Sequence, residues 1–180
     1  MKVFLGLGTN LGDREMNLVR AKDLLMKHDV LVLGQSKVEE TEPLGGLDQP
    51  KYLNQVVECQ TELQPEALLG VCKQVEKEMG RPVEVSLGNV QFGKKSKEGK
   101  IGLRPRWESR IIDIDILFYG EQVVDLPTLK IPHPGVLERG FVLRGVLELA
   151  PDFVHPATKK PLKHSPKATP SGIMDSLWHN

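Results

Sequence analysis

The sequence has few cysteines and no excess of charge of either sign. Of its 180 residues, only Cys59 and Cys72 are cysteines, and both lie in apolar stretches. Two cysteines make neither a disulfide framework nor a zinc site, so we expect buried free thiols. Lysine and arginine together number 24, as do aspartate and glutamate. A chain without net charge has no general attraction to nucleic acid or to anionic membranes, so we expect neither as a partner.

Long apolar runs are also missing. No segment approaches the roughly 20 apolar residues that cross a bilayer, and the apolar start of the sequence is too short for a secretory signal. The apolar content of 39% and the charged content of 27% are those of an ordinary globular protein. These features favour a soluble, cytoplasmic protein that forms a single domain over residues 1–180.

Hydrophobic periodicity predicts an alternation of strands and helices in the first two thirds of the chain. The main predicted strands are residues 2–8, 30–40, 52–63 and 110–119. A helix follows the first strand, with Asp13 as its N-cap, and another follows the third, with Pro65 in its first turn and Gly80 as its C′ residue. The order strand–helix–strand–strand–helix–strand is that of ferredoxin-like folds. We therefore predict an α+β protein with an antiparallel sheet packed by helices.

The remaining segments are less regular. Residues 82–105 combine clustered lysines with glycines, which predicts an extended basic loop of the length that lids usually have. Two short strands are predicted near residues 122–124 and 129–132, and a mainly helical segment over residues 136–149. Residues 154–180 form a predicted C-terminal tail rich in proline and lysine.

Two aspartates alternate with isoleucines in the fourth main strand. Side chains alternate between faces along a strand, so Asp113 and Asp115 share one face, about 7 Å apart. A solvated polar face would explain a bare Asp-x-Asp, but the same alternation sets Ile111 and Leu117 beside the carboxylates as a partial shield. Shielded like charges repel, and magnesium, which prefers hard oxygen ligands, removes the conflict. We predict that the two aspartates bind magnesium together with nucleotide phosphates.

Transfer of a phosphoryl group also needs positive charge near the transferring group. Each candidate could equally be a solvated surface charge, and their convergence on one end of the sheet is a hypothesis: Arg81, Arg104, Arg106, Arg110, His133 and Arg139. The glycine-rich segment of residues 6–12 lacks both the Walker A ending and GxGxxG spacing. It predicts a tight turn, so a nucleotide is not held here by a P-loop.

Four blocks, taken in order, resemble the 6-hydroxymethyl-7,8-dihydropterin pyrophosphokinases of folate synthesis. They are GLGTNLG (6–12), TEPLG with DQPKYLN (41–54), RIIDIDI (110–116) and IPHP with ERGFVL (131–143). The resemblance runs from Lys2 to about Phe153. It implies a ferredoxin-like monomer that moves the β,γ-diphosphate of ATP onto a pterin hydroxymethyl group and releases AMP, by in-line attack on the β-phosphorus.

The resemblance also implies roles for individual residues. Asp113 and Asp115 are the implied ligands of two magnesium ions. The implied catalytic set is Arg81, Arg110, Asp113 and Asp115. The implied ATP contacts are Arg110, Ile131, His133, Arg139 and Trp107. The pterin ring is implied to lie between the rings of Tyr52 and Phe141, with its edge read by Asn54 and by the backbone of the 41–45 segment. The implied pterin contacts are Thr41, Pro43, Leu44, Gly45, Tyr52, Asn54 and Phe141.

The sequence departs from the family pattern at three places. Glu108 stands where the family usually has Gly or Ala, Gly135 where Arg is frequent, and the 82–105 loop is much longer than its family counterpart. Two other readings of the carboxylates remain open. A metal-dependent phosphohydrolase would release inorganic phosphate without an acceptor, whereas a ferredoxin-like ligand-binding module would form no product and would not depend on magnesium.

Overall fold

The computed structural model describes residues 1–43, 49–80 and 111–168. The predicted 82–105 loop and residues 169–180 of the predicted tail lie outside these ranges. The elements follow one another along the chain as β1 (Lys2–Thr9), α1 (Arg14–Lys27), β2 (Leu31–Gln35), β3 (Glu39–Thr41), β4 (Tyr52–Gln60), α2 (Pro65–Glu78), β5 (Asp113–Tyr119), β6 (Val124–Leu126), β7 (Leu129–Ile131), α3 (Gly140–Leu149) and a short 3₁₀ helix (Leu162–His164).

The main sheet has the order β2-β4-β1-β5, and β3 also pairs with β4. All of its pairings are antiparallel. A separate two-stranded ribbon is formed by β6 and β7. Helices α1 and α2 bury their apolar residues in one cluster with the sheet, and α3 buries its own in a second cluster that includes Phe4 and Leu117. The predicted α+β fold, with its ferredoxin-like strand order, is confirmed.

The predicted helix boundaries are confirmed where local chemistry fixes them. The side chain of Asp13 accepts a hydrogen bond from the backbone N–H of Met16 at 3.0 Å, which satisfies one of the free donors at the start of α1. Pro65 opens α2, where its missing N–H costs nothing. Gly80 follows the C-cap of α2 with φ +102°, a backbone conformation that residues other than glycine disfavour.

Several predicted elements begin or end elsewhere, among them the short strand predicted near residues 122–124, which is Val124–Leu126. The predicted 30–40 strand is two strands, β2 and β3. The break lies at Ser36, because its side-chain hydroxyl, in place of a backbone carbonyl, accepts a hydrogen bond from the N–H of Val56 at 3.0 Å. Residues 36–38 consequently oppose only residues 55–56 of β4. The predicted 52–63 strand ends at Gln60, and the predicted 136–149 helix begins only at Gly140.

The two cysteines behave as the sequence predicts. Cys59 on β4 and Cys72 on α2 are free thiols in the first core cluster. Burial raises the pKa of each to about 12, so neither is a thiolate near neutral pH. Within the ranges that the structure describes, none of the helices combines the length and apolar character needed to span a bilayer.

Candidate active site

The predicted alternation of side chains on β5 is confirmed. The isoleucines are buried in the first core cluster, and Asp113 and Asp115 are partly exposed on the opposite face. The register pairs Asp113 with Gly8 and Asp115 with Gly6 of β1. Because Leu117 on the same face as the aspartates packs in the second cluster, the carboxylates lie on the α3 side of the sheet.

The expectation that Ile111 shields the carboxylates is wrong. Strand β5 begins at Asp113, so the alternation does not extend back to Ile111. That side chain is 36% exposed, and its Cδ1 lies beside Gly80 at the end of α2. Leu117 is in the predicted place. It occupies a bulge, since Leu5 pairs with Ile116 while Phe4 pairs with Phe118.

Two basic side chains converge on Asp115. Arg139, the N-cap residue of α3, donates a hydrogen bond from NH1 to Asp115 Oδ2 at 3.1 Å. His133 Nε2 lies 3.8 Å from the same oxygen. The Nδ1 atom of His133 accepts from the N–H of Gly135 at 3.0 Å, so in the neutral ring Nε2 carries the proton toward Asp115. Burial lowers the pKa of His133, and the charge of Asp115 opposes part of that shift.

Gly135 leaves room for this convergence. A Cβ at this position would lie 3.1 Å from Arg139 Nε and 3.5 Å from the ring of His133. A larger residue would therefore crowd the two side chains that reach Asp115. Ile131, also predicted for the nucleotide site, is a buried residue of β7, two residues before His133.

The donor set around β5 suits a hard cation. In the part of the chain that the structure describes, no three His, Cys, Asp or Glu side chains gather as a metal cage. Two carboxylates on one strand face are the ligand set with which magnesium is usually held, the rest of its shell coming from water and phosphate oxygens. Asp113 and Asp115 therefore fit magnesium and do not fit a closed structural metal site.

A cavity of about 320 Å³ adjoins Asp115 at the outer edge of β5. It lies between α2, β5 and the β6–β7 ribbon. Its walls are formed by Leu69, Lys73, Ile114, Asp115, Ile116, Pro127, Thr128, Leu129, Lys130, His133 and Pro134. The cavity thus brings a mixed apolar and cationic surface next to one of the carboxylates and to His133.

A second group of predicted site residues lies on β3 and β4. Asn54 donates from Nδ2 to Thr41 Oγ1 at 2.8 Å, and Tyr52 pairs directly with Thr41. A Cβ on Gly8 would lie 3.4 Å from Asn54 Oδ1, so the amide of Asn54 lies close against the bare backbone of β1. Phe141, in the first turn of α3, packs against the second core cluster on the same side.

Eight predicted or questioned site positions lie outside the described residues. They are Leu44, Gly45, Arg81, Arg104, Arg106, Trp107, Glu108 and Arg110. The described members of the set therefore form two neighbouring groups, one at the aspartates and one at Asn54. Pro43 is described and follows β3 by two residues, at the margin of the second group.

Sequence reasoning missed Glu76 and Lys73 of α2. Glu76 is completely buried, accepts a hydrogen bond from the N–H of Ile114 at 2.9 Å and contacts Lys73, which lines the cavity. The helical spacing could have revealed Glu76, because it follows Cys72 by four residues and so lies on the apolar face of α2. A charged residue at a buried helical position indicates a specific partner.

The model of the family 7,8-dihydro-6-hydroxymethylpterin-pyrophosphokinase (HPPK) matches residues 4–151. The chain belongs to the HPPK family. It is 38% identical over 162 residues to the 2-amino-4-hydroxy-6-hydroxymethyldihydropteridine pyrophosphokinase of Aquifex aeolicus, covering 89% of this chain and 88% of that protein. It is 37% identical over 169 residues to the folic acid synthesis protein fol1 of Schizosaccharomyces pombe, covering 93% of this chain. The chain spans only 20% of the length of that fungal protein.

Solved structures share the HPPK-family fold. The crystal structure of Plasmodium falciparum HPPK-DHPS wild type with pteroate superposes with a TM-score of 0.63 at 15% identity. The match covers 90% of this chain and 41% of that chain. This likeness agrees with the strand order and helix placement described above, and at this identity it concerns the fold alone.

Proposed function

We propose that this HPPK-family chain transfers diphosphate from ATP to 6-hydroxymethyl-7,8-dihydropterin and releases AMP. One observation carries the proposal. The register aligns Asn54 of β4, Gly8 of β1 and Asp113 of β5 in one row across three adjacent strands. Neighbouring strands are about 4.8 Å apart, so the residue proposed for the pterin edge and a proposed metal ligand are separated by about 10 Å. A pterin and a triphosphate bound side by side fit that separation.

The pterin part of the proposal rests on the group around Asn54. A flat polar heterocycle requires aromatic faces and amide groups at its rim, and we assign the faces to Tyr52 and Phe141. The hydrogen bond from Asn54 to Thr41 fixes the amide orientation, which leaves Oδ1 as an acceptor for the ring edge. Further proposed pterin contacts are Thr41, Pro43, Leu44 and Gly45.

The phosphate part rests on the group around Asp115. We assign two magnesium ions to Asp113 and Asp115, where they would neutralise the triphosphate and orient it. Arg139 and His133 supply positive charge or a proton donor at the same oxygen of Asp115. Arg81 and Arg110 complete the proposed catalytic set. The proposed ATP contacts also include Trp107 and Ile131, and we assign the nucleoside to the cavity beside β5.

In the proposed reaction the pterin hydroxymethyl oxygen attacks the β-phosphorus in line with the leaving group. A bond forms between that oxygen and the β-phosphorus, and the bond from the β-phosphorus to the α–β bridging oxygen breaks. The electrons of the broken bond leave with AMP, and the hydroxyl proton passes to solvent water. Positioning supplies much of the catalysis, as is common in phosphoryl transfer. We further propose that residues 1–180 act as one domain and as a monomer.

Product analysis tests this function. The purified chain is incubated with ATP, magnesium and the pterin alcohol, and the nucleotides are separated by chromatography. AMP together with a diphosphorylated pterin, formed only when all three components are present, supports the proposal. ADP as the product, or phosphate released without the pterin, would contradict it, and the second result would favour the phosphohydrolase.

A further inference from the structure

Glu76 is a carboxylate inside the core. It lies on the buried face of α2 with Leu68, Cys72 and Val75, and its exposure is 0%. A buried carboxylate is retained only where hydrogen bonds and an opposite charge compensate for the water that it loses. The contacts of Glu76 therefore indicate what the charge does in this position.

One of these contacts is to the backbone of the aspartate strand. The N–H of Ile114 donates to Glu76 Oε1 at 2.9 Å. Among the residues that the structure describes, strand β5 is at the edge of the main sheet and pairs with β1 on one side only. On its open side, Glu76 takes the position that a carbonyl of a further strand would occupy. The bonded amide lies between Asp113 and Asp115, at the centre of the proposed metal-binding segment.

A further contact connects Glu76 to the cavity. Lys73 Nζ lies 3.0 Å and 3.2 Å from the two carboxylate oxygens of Glu76, one helical turn away. The same lysine lines the cavity together with Ile114 and Asp115. A continuous chain of contacts thus runs from the cavity wall through Lys73 and Glu76 to the backbone of β5.

We propose that Glu76 is a positioning residue for the diphosphate transfer, acting through the backbone of β5. Its bond to Ile114 holds the strand against α2, so that Asp113 and Asp115 keep one fixed spacing and direction. Lys73 orients the carboxylate of Glu76. This inference rests on the proposed function, since it assigns Glu76 to the placement of the proposed magnesium ligands.

The physical consequence follows from the sensitivity of transfer reactions to geometry. A displacement of about 1 Å at the reacting groups can lower a rate by about a hundredfold. Removal of the acceptor at position 76 leaves the Ile114 amide without its bond and frees β5 to shift. The residues of β3 and β4 that we propose for pterin binding are held by separate contacts. The affinity of the protein for the pterin should therefore not change.

The test compares Glu76→Gln with Glu76→Leu. The glutamine keeps a carbonyl oxygen for Ile114, and the leucine keeps the approximate shape but accepts nothing. We expect Glu76→Leu to lower kcat by about a hundredfold and to raise the magnesium concentration for half-maximal rate, while KM for the pterin stays unchanged. Glu76→Gln should restore most of kcat. Glu78→Leu, a change at an exposed position two residues further along the chain, is the matched control and should resemble the wild type.

A second measurement does not depend on activity. Hydrogen exchange of the Ile114 amide, followed by NMR, should be fast in Glu76→Leu and slow in both Glu76→Gln and the wild type. If Glu76→Leu does not fold, Glu76→Asp replaces it, because the shorter side chain withdraws from Ile114 and predicts the same losses. Equal exchange in all variants, unchanged kcat in a folded Glu76→Leu, or an equal loss in pterin KM would overturn the inference. A wild type that makes no AMP refutes the proposed function instead, and the exchange result still decides whether Glu76 holds β5.

Discussion

Arg139 donates a hydrogen bond to Asp115 across 3.1 Å, from the residue that precedes α3 to strand β5. The same carboxylate oxygen lies 3.8 Å from His133 Nε2. The contact gives the carboxylate face a fixed cation before any ligand arrives. A triphosphate bound there would therefore meet both a carboxylate that we propose as a metal ligand and a guanidinium.

Replacement of Asp115 by asparagine should separate activity from stability. We expect Asp115→Asn to lower kcat by about a hundredfold or more, because the amide is a poor metal ligand and weakens charge stabilisation at the transferring group. The free energy of unfolding should change by no more than about 1 kcal/mol, since Asp115 is 28% exposed and such ion pairs contribute little. Steady-state kinetics and urea unfolding measure the two quantities. Near-full kcat with normal magnesium dependence would remove the metal assignment.

The ion pair between Arg144 and Glu39 should matter for the pterin. Arg144 donates from Nε to Glu39 Oε1 at 3.0 Å and from NH2 to the other oxygen, which joins α3 to β3 two residues before Thr41. We expect Arg144→Ala to raise KM for the pterin by about tenfold, in keeping with about 1.5 kcal/mol for a charged hydrogen bond, because α3 carries Phe141. KM for ATP should stay the same.

The matched control for that variant is Lys163→Ala. Lys163 pairs with Asp152 at 2.9 Å in an exposed position near the end of the described chain. Its removal should leave both KM values unchanged. A normal pterin KM in Arg144→Ala would show that α3 keeps its position without the ion pair.

Two helical glycines should respond in opposite directions to alanine. A Cβ on Gly145 of α3 would lie 2.5 Å from Val56 Cγ2 on β4, so Gly145→Ala should lower the free energy of unfolding by about 1–3 kcal/mol. Gly70 of α2 has open space around it, so Gly70→Ala should raise the free energy of unfolding by about 0.5–1 kcal/mol. Urea unfolding of the pair measures both, and equal signs would contradict the close packing of α3 on β4.

Stability should fall as the pH falls below neutrality, partly through His155. This ring is 7% exposed, and its Nδ1 accepts from the N–H groups of Ala157 and Thr158. Burial lowers the pKa of His155 in the folded chain. The unfolded state therefore binds more protons, and stability decreases as the pH passes down through the unfolded pKa of about 6.5 toward the lower folded pKa.

Replacement of His155 tests that pH dependence. His155→Asn should flatten the decline in unfolding free energy between pH 7 and pH 5, and the same change at the exposed His164 should leave it as it is. A residual decline is expected from His133, whose pKa burial also lowers. The measurement is urea unfolding at several pH values, and an unchanged slope in His155→Asn would contradict the assignment.

The sequence predicted what depends on neighbours along the chain. The cap at Asp13, the glycine after α2 and the alternation of Asp113 and Asp115 are local features, and the structure contains all three. The break at Ser36, the exposed position of Ile111 and the late start of α3 depend on contacts between distant segments. The role of Glu76 was missed for the same reason, since its partner Ile114 is 38 residues away. The positions outside the described ranges, including Arg81, Trp107 and Arg110, stay predictions.

The bulge at Leu117 shifts the alternation of side chains along β5 by one residue. Up to Leu117, odd-numbered side chains face α3, and after it Phe118 faces α3 while Tyr119 packs with the other layer. To transfer the Asp-x-Asp segment to another sheet, a protein engineer must either build the same bulge there or change the residues that follow Leu117. On a sheet that lacks the bulge, the same residues would keep both aspartates in place and exchange the layers of the two aromatic side chains. The residues Asp113–Tyr119 therefore keep their assignment to the two layers only when the bulge is transferred with them.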